Sequence, residues 1–214
     1  MSLDGTYGGL KASVADFLNR QDLTAVIPDF VTIATAALTR RLIKDGPVRE
    51  MFGTWAPTIS TEFTNLPADF KGVKSFYIPT SSQPRVEFAE PEKIAEMKIM
   101  FPSESSDPRL YSIVGSQLQL WPFATGGSFV GSIGYWQAIP AFTNDASTNW
   151  LLTAHPDLYL YTSLIQSAPY LKDDARLQVW GELAVTGVQD LIDADKIGRL
   201  APQISAPIQA YEPP

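Results

Sequence analysis

Between residues 7 and 20, Leu10, Val14, Phe17 and Leu18 recur at i, i+4, i+7 and i+8, the period of a helix with one apolar face. Thr6 is placed to cap it, while Gly8 and Gly9 weaken its first turn, because glycine loses most backbone freedom in a helix. A polar turn at residues 19–22 leads to a second helix. Thr24 is a candidate N-cap there, and Pro28 fits the first turn, where its missing N–H would be unpaired anyway. Phe30, Ile33, Ala34, Ala37, Leu38 and Leu42 form the expected buried face. Arg40, Arg41 and Lys44 oppose the negative end of the helix dipole, and Asp45-Gly46-Pro47 stops the helix.

From residue 51 to 140 the period changes. Short runs rich in Val, Ile, Thr and aromatics alternate with Pro, Gly and Ser, which predicts β structure. Residues 58–63 and 72–78 are candidate strands flanking Leu66-Pro67-Ala68-Asp69-Phe70, and residues 85–89 form a short third. Pro91 opens a short helix over 92–97; residues 110–114 and 117–121 form a hairpin turning at Gly115-Ser116. Residues 128–137, after Gly126-Gly127, make the last strand. Such short, punctuated strands predict a small antiparallel sheet or barrel.

Helical period returns after Pro140. Pro156 opens a helix whose Leu158, Tyr161, Ile165 and Ala168 share a face, and Pro169 kinks or ends it. Asp173 or Asp174 caps the longest helix, with Leu177, Trp180, Leu183, Ala184, Gly187, Val188, Leu191 and Asp195 along one stripe and Gly198 as the C′ residue. Residues 199–214 hold four prolines and no window able to form a helix, so this tail either stays unfolded or lies extended on a partner. The expected fold is α+β. Helices from residues 1–50 and 141–198 share one bundle, residues 51–140 form an inserted, mostly antiparallel β region, and residues 199–214 form an extended tail.

Composition narrows the function. The chain has no cysteine, which excludes disulfides, thiolate catalysis and cysteine-ligated metal, and fits folding in a reducing cytoplasm. It shows no signal-peptide pattern and no apolar run long enough for a transmembrane helix, so a soluble protein with no membrane partner is expected. The net charge of −7 speaks against a dedicated DNA-binding surface, which needs clustered Lys and Arg. Acidity grows along the chain: residues 150–214 carry eight acidic and four basic groups, against six of each in residues 1–50. That is either a solvated surface or a face past which nucleic acid must slide without sticking.

No catalytic constellation is visible. His155 precedes Pro156 at a helix start, where a structural role outweighs general-base duty in a chain with no Gly-x-Ser-x-Gly elbow. Glu90, Glu92 and Glu96 read as the exposed side of a short helix, and Asp173 with Asp174 as helix capping, rather than as the convergent carboxylates of a glycosidase. No metal-ligand spacing, phosphate-cradling loop or cofactor motif occurs. Trp55, Phe76, Tyr77, Tyr111, Trp121, Phe123, Tyr135, Trp136 and Phe142 concentrate in or beside the β region, which fits sheet packing, subunit anchoring or a carbohydrate-binding surface.

Several runs resemble the head–tail adaptors that tailed phages place beneath the portal. They are Leu10-Lys11-Ala12-Ser13-Val14-Ala15-Asp16-Phe17-Leu18-Asn19-Arg20-Gln21-Asp22-Leu23-Thr24, then Ile27-Pro28-Asp29-Phe30, and Leu66-Pro67-Ala68-Asp69-Phe70. The most specific are Asn149-Trp150-Leu151-Leu152, Pro156-Asp157-Leu158-Tyr159-Leu160-Tyr161, and Ala168-Pro169-Tyr170-Leu171-Lys172-Asp173-Asp174-Ala175-Arg176 with Trp180. The chain departs at Thr35-Ala36-Ala37-Leu38-Thr39-Arg40, where family members tend to carry Glu and Arg. The resemblance implies a structural virion protein of the neck, not an enzyme. It forms a ring, commonly of twelve subunits, around a DNA channel, with its β part toward a tail or nozzle protein and its C-terminal tail on the portal. On that reading Ile204, Ile208 and Tyr211 anchor the tail, and Asp190, Asp193 and Asp195 are candidates to face the channel. A virion-associated cell-wall hydrolase and a carbohydrate-binding tail module are the competing classes.

Overall fold

A computed structural model describes residues 4–81, 83–123, 127–171 and 175–199. Its helices are α1 (Tyr7–Leu18), α2 (Ile27–Asp45), α3 (Pro91–Met100), α4 (Trp150–Ala154), α5 (Pro156–Gln166) and α6 (Arg176–Arg199). Its strands are β1 (Phe52–Trp55), β2 (Thr58–Ile59), β3 (Phe63–Asn65), β4 (Phe70–Tyr77), β5 (Glu87–Phe88), β6 (Leu110–Val114), β7 (Gln117–Trp121), β8 (Phe129–Val130) and β9 (Ser132–Gln137).

The glycines that open α1 have a packing reason. Thr6 caps the helix by accepting from Gly9 N–H at 3.1 Å, and Gly8 N–H donates to the Asp145 carbonyl at 2.9 Å. A Cβ on Gly8 would sit 3.2 Å from that carbonyl oxygen, so a side chain there would push the 143–148 loop off the helix. In α2 the N-cap is Val26, not Thr24, because Pro28 in the first turn sets the helix start at Ile27. Its buried ridge runs through Ile27, Phe30, Val31, Ala34, Leu38 and Leu42. Ile33, expected inside, is 48% exposed, because it lies about 100° around the helix from Ala34, off that four-residue ridge.

Helix α5 is the axle of the bundle, packed on α1, α2, α4 and α6. It therefore buries Leu158, Tyr159, Leu160, Thr162, Ser163 and Leu164 on most sides, rather than the single expected face. Tyr161 and Ile165 are only half-buried, and Ala168 lies past the helix in a 3₁₀ turn that also holds Pro169. Helices α5 and α6 approach closely at Gly187, where a Cβ would lie 2.5 Å from Leu158 Cδ2. Helix α6 buries Trp180, Ala184, Val188, Leu191, Ile192 and Asp195, and it runs through Gly198, which is therefore not a C′ residue. The expected capping aspartates, Asp173 and Asp174, lie outside the described residues.

Between the helical ends, β1-β9-β4 form one antiparallel sheet, and β3-β7-β6 form another with β5 added parallel to β6. The β6–β7 hairpin turns at Gly115 (φ 60°), as its sequence requires. Residues 128–137 do not make one strand. They break at Gly131, whose N–H donates to the Pro57 carbonyl at 2.9 Å, so β8 pairs β2 while β9 pairs β1 and β4. The expected 58–63 strand is likewise two, with β2 on β8 and β3 on β7, while β1 alternates exposed and half-buried positions.

Two apolar cores result. One joins both helical ends, through Leu10, Val14, Leu38, Leu42, Leu151, Tyr159, Trp180 and Val188, with Met51 and Ile139 where the chain leaves and re-enters the bundle. The other holds the β region together through Ile59, Phe76, Tyr111, Leu118, Leu120, Ile133 and Tyr135. This is the α+β arrangement that the hydrophobic periods predict.

Candidate assembly surfaces

The residues weighed for catalysis do not converge. His155 is the single residue between α4 and α5 and makes no side-chain cap bond. Glu92 is exposed in the first turn of α3, and Glu96 pairs with Lys93 at 3.3 Å on the same exposed side. Among the described residues no three His, Asp or Glu side chains gather as a metal site would require, and no helix is long and apolar enough to cross a membrane. The aromatics do not form a glycan platform either. Phe76, Tyr111 and Tyr135 are buried in the β core, with Phe76 and Tyr111 edge-on at 5.5 Å. Trp121 is buried as well. Trp55 and Phe123 lean half-buried on the β core, Trp136 and Phe142 on the helical core, and Tyr77 alone of this set is exposed.

The run Asn149-Trp150-Leu151-Leu152 fixes the joint between the chain's second crossing and the bundle. Asn149 caps α4 by accepting from Leu152 N–H at 2.9 Å, while its amide donates to the Pro140 carbonyl at 2.8 Å and to Tyr159 Oη at 2.9 Å. Burial pushes the Tyr159 phenol above its ordinary pKa, so it stays neutral and serves as a fixed hydrogen-bonding group.

Three acidic residues of α6 were expected to face a channel. Asp190 and Asp193 are exposed, and hydrogen bonds from Gln189 and Lys196 hold the Asp193 carboxyl below the usual carboxylate range. Asp195 corrects the expectation. Its side chain is 6% exposed, accepts from Arg49 N–H at 3.1 Å and pairs with Arg199 at 2.5 Å. It clamps the end of α6 to the turn after α2 and is not available to a lumen. The apolar stripe in the sequence already ran through Asp195, and a buried carboxylate needs such partners.

A concavity of about 620 Å³ lies along α2. One wall is Val31, Thr35, Ala36, Thr39 and Ile43; the other is the 138–142 segment, held on by Ile139 N–H donating to Thr39 Oγ1 at 3.4 Å. Tyr7 stacked on Phe142 at 4.8 Å closes one end. Arg40, Lys44 and Lys71 also line it. Sequence reading assigned Arg40 and Lys44 to the helix dipole and passed over Lys71. The available signal was the small residues Thr35, Ala36 and Thr39, which leave room beside the helix. The tail residues Ile204, Ile208 and Tyr211 lie outside the described residues.

The profile of a family described as SU10 adaptor protein matches residues 5–206, nearly the whole chain. A search of curated proteins finds no match.

Proposed function

The chain belongs to the SU10 adaptor protein family, a family of phage head–tail adaptors, and we propose on that premise that it forms a dodecameric ring joining the portal to the tail. An adaptor of this kind is a structural part of the virion and contacts other phage structural proteins. The observation that carries the proposal is the extent of the match: residues 5–206 include both helical ends and the β region, so the likeness does not rest on one motif.

The architecture supports it. The helical core and the β core are separate, which suits a subunit that meets one neighbour in the neck at its bundle and another at its β end. A ring places one face of each copy against a different face of the next, and rotation closes it. DNA crosses the ring without being held; the net charge of −7 favours that, since few cations are offered to phosphate.

Docking on the portal falls to residues 199–214, with Ile204, Ile208 and Tyr211 as anchors. Four prolines restrict the unbound segment, so less chain entropy is lost on docking. Repeated around a ring, weak anchors become collectively strong. The start of this segment is fixed, because Arg199 donates to the Pro47 carbonyl at 2.7 Å. Co-sedimentation with purified portal tests the proposal. The full chain is expected to pellet with portal, whereas a chain ending at Leu200 keeps the same helicity by circular dichroism and stays in solution. Undiminished binding by the shortened chain would place the docking surface on the folded part. No binding by the full chain would overturn the position beneath the portal.

A further inference from the structure

Arg40, Lys44 and Lys71 point a local positive charge at one apolar groove in a protein whose net charge is −7, and none of the three has an ion pair among the described residues. A site of that chemistry selects an occupant that is both apolar and acidic. The outer side of α6 has that character. Val179, Leu183, Thr186, Asp190, Asp193 and Ile197 are spaced four and three residues apart, so they line up along the helix. Val179, Leu183 and Ile197 are 54%, 42% and 71% exposed, although their side chains are fully apolar. Interleaved with them, Asp190 is exposed with no ion pair among the described residues, and Asp193 is exposed beside it. A wall facing only water and DNA has no use for such apolar residues, whereas a subunit contact does.

We infer that the outer stripe of α6 from one copy lies in the α2 groove of the next; the inference rests on the ring reading above and names the two faces that form its joint. At 1.5 Å per residue, Thr32 to Lys44 spans about 18 Å and Leu183 to Asp193 about 15 Å, so the two segments match to within about two residues. On both helices the charges lie in the C-terminal half, Arg40 and Lys44 on α2 and Asp190 and Asp193 on α6. In a parallel alignment Leu183 falls beside Thr32, Thr186 beside Ala36, Asp190 beside Arg40 and Asp193 beside Lys44. No residue of α6 lines the groove of its own subunit, so the two faces are distinct, as a head-to-tail ring requires. The contact also covers the three cations, which would otherwise add salt-dependent adhesion to passing DNA.

The chain has no cysteine, so an introduced pair reports one contact alone. The variant carrying both Ala36→Cys and Thr186→Cys, in the full chain assembled on purified portal and oxidised, is expected to give a ladder of covalent dimers and larger multimers. In the cysteine-free background, Arg40→Glu with Lys44→Glu is expected to weaken assembly by about tenfold or more, and Asp190→Lys with Asp193→Lys in the same chain to restore it. A ring that forms without the cross-link, or a charge reversal that leaves the ring intact but blocks another neck protein, overturns the pairing and leaves the ring reading standing. A chain that remains single on the portal overturns both.

Discussion

Replacing Trp180 with alanine is expected to destabilise the protein by about 3–5 kcal/mol, the range for removing a large buried aromatic, and to lower the melting temperature by on the order of 10 °C. Trp180 is 5% exposed and belongs to the helical core, with the Arg176 guanidinium 5.1 Å from its ring centroid. It lies near the start of α6, far from the Asp195 clamp at the other end, and ties that half of the helix to the core. Chemical denaturation followed by circular dichroism measures the loss. A change below about 1 kcal/mol would mean that α6 is not integrated in the bundle core, and the stripe on its outer side could not then be presented in a fixed orientation.

Asn149→Ala is expected to cost about 2–4 kcal/mol through a different mechanism. About 1 kcal/mol is the lost N-cap on α4. The remainder comes from stranding Tyr159 Oη, which is buried and keeps only a long 3.5 Å contact with Thr35. Asn149→Ser retains a capping oxygen and should recover roughly 1 kcal/mol. The two partners should also couple: Tyr159→Phe introduced into the Asn149→Ala chain is expected to cost at least about 1 kcal/mol less than Tyr159→Phe alone, because the stranded hydroxyl is then gone. Additive losses would show that the Asn149–Tyr159 hydrogen bond contributes nothing.

These two residues also mark how far the sequence could be read. The periods of α1, α2 and α6, the β6–β7 hairpin with its Gly115 turn, and the joining of both helical ends follow from apolar spacing and turn chemistry. Helix α5 was misread as one-sided because a helix enclosed by four neighbours buries positions that periodicity assigns to solvent. The break at Gly131 depends on a hydrogen bond to Pro57, more than seventy residues away, and no local window contains both. The hub at Asn149 depends likewise on Pro140 and Tyr159 arriving from either side.

The candidate surfaces were less legible than the fold, and for the same reason. A groove exists only where elements meet: Lys71 at the start of β4, Tyr7 of α1 and Phe142 after β9 become neighbours of Arg40 and Lys44 through tertiary packing alone. Asp195 could have been separated from Asp190 and Asp193, since it continues the buried stripe while they do not. The class of protein was legible because the runs around Asn149, Pro156 and Ala168 are local, and the family match covers them.

The central claim is the place of this chain in the particle, and cryo-electron microscopy of intact virions, with the neck reconstructed and this fold placed in the density, tests it most directly. The account predicts a closed ring of this chain directly beneath the portal, each copy's residues 199–214 following the portal surface and its β region turned toward the tail. Density for this fold elsewhere in the virion, or a neck whose portal contacts the tail with no such ring between them, would contradict it.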